Sequence, residues 1–122
     1  MATFEDVRRF GRRFPEATDG TFYGTAALKV RGKGFCRMWS EREHDRDGVA
    51  DTEVLVVFCE PEAKEALLEN HPDVLFSTPH YEGHGAMLVR LAEVNLDDLA
   101  EWLEDSYRRR APAVLRRKLD DA

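Results

Sequence analysis

Apolar residues recur along this chain with two spacings, and the switches between them mark out its elements. From Asn95 to Arg110 the spacing is helical. Leu96, Leu99, Leu103 and Tyr107 fall three and four apart, so one stripe can be buried while the other faces meet water. Asn95 suits the N-cap, Asp97 and Asp98 the positive end of the helix dipole, and Arg108, Arg109 and Arg110 its negative end. This helix is expected to lie across a β-sheet and supply much of the core. Thr3 to Arg13 predicts another helix, capped by Thr3, striped by Phe4, Val7 and Phe10, and stopped at Pro15. Glu60-Pro61-Glu62 opens a third, running to about Asn70, with Ala63, Ala66 and Leu67 on its inner side. Pro112 to Leu119 makes a short fourth, with Val114, Leu115 and Leu119 inside.

Elsewhere the spacing is two. Glu53–Cys59 is the most apolar strand: Val54, Val56 and Phe58 point one way, Leu55, Val57 and Cys59 the other. With both faces apolar, it reads as central. Ala26 to Arg31 and Phe35 to Ser40 form a hairpin across Gly32-Lys33-Gly34. Thr21 to Gly24 is a short strand after a polar connection, Val74 to Ser77 a short strand or edge, and Ala86 to Ala92 the last strand. Glu41 to Thr52 reads as a charged loop, apolar only at Val49. The order is α-β-β-β-β-α-β-β-α-α. Hairpin-length links imply a mainly antiparallel sheet with helices gathered on one face, a two-layer α+β sandwich in one domain over residues 1–122.

Composition narrows the function classes. A chain of 122 residues with 43% hydrophobic and 34% charged positions suits one soluble domain with a real core. No apolar run approaches the roughly 20 residues a bilayer requires, and no secretory leader is evident, so a cytoplasmic location with no membrane partner is expected. Cys36 and Cys59 sit inside strands without a Cys-x-x-Cys pattern, which fits buried, inert thiols better than a redox pair. The net charge of −6 argues against tight non-specific nucleic-acid binding. The charge is uneven, however: arginines crowd both ends of the chain, and acids gather from Glu41 to Glu53.

Three groups of residues are candidates for chemistry or binding. On the sheet face away from the helices, alternation places Lys29 with Arg31, Phe35 with Arg37 and Trp39, and Arg90 outward on the last strand. Cations interleaved with aromatics could hold phosphates by charge and bases by stacking. The plainer alternative is a solvated face, with Trp39 covered by the Glu41–Thr52 segment. The second group is the Thr78–Gly85 loop, TPHYEGHG, with His80, Tyr81, Glu82 and His84. Its His-x-x-x-His spacing needs a helix to make a metal site, and Gly83 and Gly85 oppose one, so a structural loop with no metal is expected. The third is Asp45-x-Asp47-Gly48, which lacks the rest of a calcium loop and reads as a solvated wing. No nucleophile elbow, phosphate loop, dinucleotide fingerprint or zinc-protease helix is present. Ser106 suits packing or helix bonding, and Tyr107 a core anchor with its hydroxyl at the rim.

Several stretches carry a family resemblance over nearly the whole chain. They are FPEAT, the FYGTAALKVRGKGFCRMW hairpin, the apolar strand entering Glu60-Pro61-Glu62, TPHYEGHG before a VRL strand, and Ser106-Tyr107-Arg108 with its RAP continuation. Together they resemble the MmcQ/YjbR-like family of small bacterial proteins. The resemblance implies a compact α/β fold compared with frataxin-like domains, a double-wing arrangement, and DNA as partner. It implies no catalytic motif and no cofactor. The expectation is therefore a binding module, not an enzyme, and a monomer or weak dimer. DNA is the leading partner, although the acidic charge disfavours it, and Lys29, Arg31, Arg37, Trp39 and Arg90 are the candidate contacts. The alternative is a protein-interaction or small-ligand module with no nucleic-acid role.

Overall fold

The computed structural model describes residues 2–50 and 52–122. The elements run α1 (Phe4–Gly11), β1 (Ala17–Phe22), β2 (Thr25–Val30), β3 (Lys33–Met38), α2 (Glu41–Asp47), β4 (Val54–Phe58), α3 (Pro61–Asn70) and β5 (Leu75–Phe76), then a 3-10 turn (Pro79–Tyr81), β6 (Ala86–Arg90), α4 (Leu96–Arg110) and α5 (Ala113–Asp120). The strands form one antiparallel sheet in the order β1-β2-β3-β4-β6-β5. The fold is α+β, as the spacing of apolar positions predicts.

Strand alternation splits the apolar residues into two clusters. Leu55, Val57, Met87 and Val89 face the main core with Val7, Phe10, Leu99, Leu103, Tyr107 and Leu115 from the helices. Val54, Val56, Ala86 and Leu88 face the other way, with Trp39 and Tyr81. The central strand is thus covered on both sides. In α4, Trp102 and Ser106 join the buried stripe, whereas Leu96 at the first turn is 41% exposed. The inner face of α3 is also rotated from the expectation. Ala63 and Ala66 are exposed, and Lys64, Leu67 and Leu68 turn inward. Lys64 is tolerated there because its stem packs while its ammonium finds carbonyl partners.

Two segments differ from the sequence-based expectation. β1 begins at Ala17, inside the stretch expected to be a polar connection, and Tyr23-Gly24 is the turn, with φ of 53° and 77°. Positive φ at both central residues suits a two-residue hairpin. Arg31-Gly32 repeats the device at 50° and 80°, so β3 starts at Lys33. β1 is an edge strand with exposed central residues, so it carries no apolar alternation to betray it. The second difference is α2, in the segment expected to be a loop. Ser40 accepts from the Glu43 backbone N–H, the Glu43 carboxylate accepts from the Ser40 N–H, and Gly48 ends the helix in the left-handed region. No α2 residue is fully buried, so its sequence lacks a helical stripe. It lies over the second cluster, and α1, α3, α4 and α5 lie on the main face.

A bulge reconciles β3 with both clusters. Leu28 pairs with Cys36 and Lys29 with Gly34, which leaves Phe35 as an extra residue. Phe35 and Cys36 both join the main core, and Arg37 and Trp39 go to the opposite face. Phe35 therefore does not share a face with Arg37 and Trp39. Ser106 stitches the neighbouring strands: its Oγ donates to the Phe35 carbonyl and accepts from the Phe58 N–H at 3.2 Å. Replacing it leaves a buried carbonyl and a half-buried N–H without that bridge. Ser106→Ala is expected to cost about 2 kcal/mol in urea unfolding, and a loss under 0.5 kcal/mol would deny the hydroxyl this role.

Candidate functional site

The second face is organised by a buried ion pair. Arg37 on β3 donates through both terminal nitrogens to Glu43 on α2, at 2.7 and 2.8 Å. The Tyr81 hydroxyl donates to Glu43 at 2.9 Å and accepts from Arg37 and from the Trp39 indole, each at 3.1 Å. Strand, helix and loop are thereby tied through one phenol. Burial pushes the Glu43 carboxyl up, but the bonds from Arg37, the Ser40 backbone and Tyr81 outweigh it and hold the group at about 2. Burial raises the Tyr81 phenol.

The Thr78–Gly85 loop is fixed from two sides. Lys64 Nζ donates to the carbonyls of Tyr81 at 2.6 Å and His84 at 3.2 Å. Burial lowers the Lys64 ammonium. Thr78 donates to Asp47 at the end of α2, at 3.2 Å.

Between α2 and this loop lies an open groove of about 710 Å³, within the roughly 300–1,000 Å³ usual for small-molecule sites. Its apolar lining is Val56, Phe58 and Ala86, and Tyr81 and the Arg37–Glu43 pair stand beside it. Arg42 and Arg46 line it from α2, His80 and His84 from the loop, and Tyr23 from the β1–β2 turn. Tyr23 is 78% exposed, yet its ring stacks on Phe22 with centroids 4.6 Å apart. The Arg37 guanidinium lies 5.3 Å from the Tyr23 ring centroid.

The residues expected on the sheet face are placed very differently from one another. Arg37 and Trp39 are buried in the network. Arg31 sits in the β2–β3 turn and forks onto Glu16 at 2.7 and 2.9 Å. Lys29 reaches toward Phe22, its ammonium 5.8 Å from the ring. Arg90 lies over Phe76 at 4.3 Å. The structure brings Arg37 to the groove with His80, Tyr81 and His84 and leaves Lys29, Arg31 and Arg90 outside its lining. Sequence reasoning missed Tyr23, Arg42, Glu43 and Arg46. The available signal was Ser40-x-x-Glu43, a capping box that would have made Arg42 and Arg46 helical neighbours.

Among the described residues, no group of three or more His, Cys, Asp or Glu side chains is arranged to hold a metal ion. Both cysteines are free and buried. Burial pushes the Cys36 thiol up to about 12 and raises Cys59 as well. No helix among the described residues is long and apolar enough to cross a membrane.

Comparison with known proteins places these features in context. The YjbR family model matches residues 12–109. An uncharacterised protein of Mycobacterium tuberculosis, Rv2570, and one of Mycobacterium bovis, Mb2600, are each 44% identical over 52 residues. That stretch is 43% of this chain and spans 40% of the length of those relatives. A crystal structure of the Deinococcus radiodurans protein DR2400, with a DUF419 domain, superposes with a TM-score of 0.70. It covers 98% of this chain and 89% of the other at 21% identity, a likeness of fold.

Proposed function

The chain belongs to the YjbR family, and on that premise we propose that it is a binding module whose groove between α2 and the Thr78–Gly85 loop receives a small ligand. One observation carries this reading. The groove is concave, has an apolar lining, and gathers polar groups that the fold leaves exposed, namely Arg42, His80 and His84. Binding is favoured over catalysis because Glu43, the groove's carboxylate, is locked to Arg37 and held at about 2. So weak a base is a poor proton acceptor at neutral pH.

The DNA role implied by the family resemblance is supported by exposed basic residues, Arg42 and Arg46 on α2 and Arg12, Arg13, Arg117 and Lys118 near the chain ends. Against it stand the net charge of −6 and the commitment of Arg31 and Arg37 to carboxylates. The test pairs two measurements on the full chain. A mixed-charge set of small aromatic fragments is screened by ¹⁵N NMR, and labelled duplex and single-stranded DNA by fluorescence anisotropy at low salt. Fragments are expected to shift the amides of Tyr23, Ser40, His84 and Ala86, with no saturable DNA binding. Saturable DNA binding with a steep salt slope, and no fragment on the groove, would reverse the assignment.

A further inference from the structure

The groove carries a charge opposite to that of the chain. Arg37, Arg42 and Arg46 line it, and once Arg37 is set against Glu43 and Arg46 against Asp47 one positive charge, that of Arg42, is left over in a protein of net charge −6. Arg37 and Glu43 satisfy one another, and Arg46 pairs with its neighbour Asp47 at 2.8 Å. Arg42 is exposed and makes no ion pair among the described residues. Being four residues before Arg46, it projects from the same side of α2. A guanidinium offers several fixed donors that match phosphate or carboxylate oxygens.

The second observation is independent of charge. Tyr23 is a large aromatic residue at 78% exposure, in the left-handed backbone region at φ 53°. A bulky residue rarely adopts that conformation, and in the core it would gain far more burial. Its ring is nonetheless held by stacking on Phe22. The groove lining thus includes the exposed Tyr23 ring together with Phe58 and Val56.

We infer that the groove takes an anionic head group, phosphate or carboxylate, carried on a flat apolar body, with Arg42 and Arg46 holding the head and Tyr23 and Phe58 receiving the body. The inference rests on the groove being the binding site, as proposed above. His80 and His84 on the facing loop add ring nitrogens that can donate to the head or to polar edges of the ligand. The neutral and cationic analogues of the same shape leave the arginines without a partner.

The experiment titrates the ¹⁵N-labelled full chain at low salt with phenyl phosphate, benzoate, benzyl alcohol and benzylamine. The two anions are expected to shift the amides of Tyr23, Arg42, Arg46 and His84 saturably, with the alcohol and the amine about tenfold weaker or worse. A preference for one anion over the other identifies the head group, and either preference supports the inference. Arg42→Gln, at an exposed position, should weaken anion binding about tenfold. Arg12→Gln, an exposed arginine just beyond α1, should leave it unchanged. Equal losses in the two variants would reduce the effect to general charge attraction and overturn the inference. Benzyl alcohol or benzylamine shifting the same amides as strongly as the anions would also overturn it while leaving the groove as a binding site. If none of the four compounds moves a groove amide, the inference and the reading beneath it fall together.

Discussion

Arg37→Ala is expected to destabilise the fold by about 3 kcal/mol, because it strands a buried carboxylate. The Arg37 and Glu43 side chains are only 9% and 13% exposed. Without Arg37, Glu43 keeps the Tyr81 hydroxyl and the Ser40 donors but loses its counter-charge. Replacing both members by leucine should cost much less than the two single changes together, since an apolar pair avoids desolvating charge. Urea unfolding of the two single variants and the double variant measures this directly, and additive losses would mean that the pair is not a clamp. The acid limb tests the same pair. Glu43 is depressed from 4.5 to about 2, so its contribution is fully present above about pH 4.5 and disappears as pH falls through about 2. Glu43→Gln should therefore start from lower stability at pH 7 and lose less than the parent between those limits. A parallel pH dependence in parent and variant would refute the assignment.

Tyr107→Ala should be the costliest core change, at about 4 kcal/mol. Tyr107 is fully buried, stacks on Phe14 with centroids 4.9 Å apart, and meets Phe35 edge-on at 5.6 Å. Its hydroxyl donates to the Pro15 carbonyl at 2.7 Å, joining α4 to the chain just past α1. Tyr107→Phe keeps the ring and removes only that bond, so about 1 kcal/mol is expected. The two variants separate packing from hydrogen bonding, and equal losses in urea would show the ring contributing little beyond its hydroxyl. Both sites matter to the groove in different ways: Arg37 fixes its wall, and Tyr107 anchors α4 against the bulged strand that presents Arg37.

The apolar spacing identified α1, α4 and the central strand β4, proline and acidic start signals marked α3 and α5, and hairpin-length links gave the antiparallel arrangement. α1, α4 and β4 were legible because each buries a stripe or face, and burial leaves a period in the sequence; in α3 only Lys64 is fully buried and in α5 only Leu115, with Val114 exposed, so their prolines marked them better than their stripes did. Residue types singled out His80, Tyr81 and His84 as a loop worth attention, and the helical spacing singled out Tyr107 as an anchor with its hydroxyl at the rim. Only the tertiary structure decided that Glu41–Asp47 is a helix, because α2 is held by its caps and by Glu43 and Asp47 rather than by an apolar stripe. Only the structure decided that Arg37 and Trp39 are buried. Their exposure depends on what covers the sheet, and strand alternation tells which residues share a face but not whether that face meets water. The bulge at Phe35 is a third such decision: one extra residue reverses the alternation upstream of it, and the register is set by the neighbouring strands. The groove belongs to the same class, since Tyr23, Arg42 and His84 are far apart in the chain and meet only when the hairpin turn, α2 and the Thr78–Gly85 loop close around one sheet face.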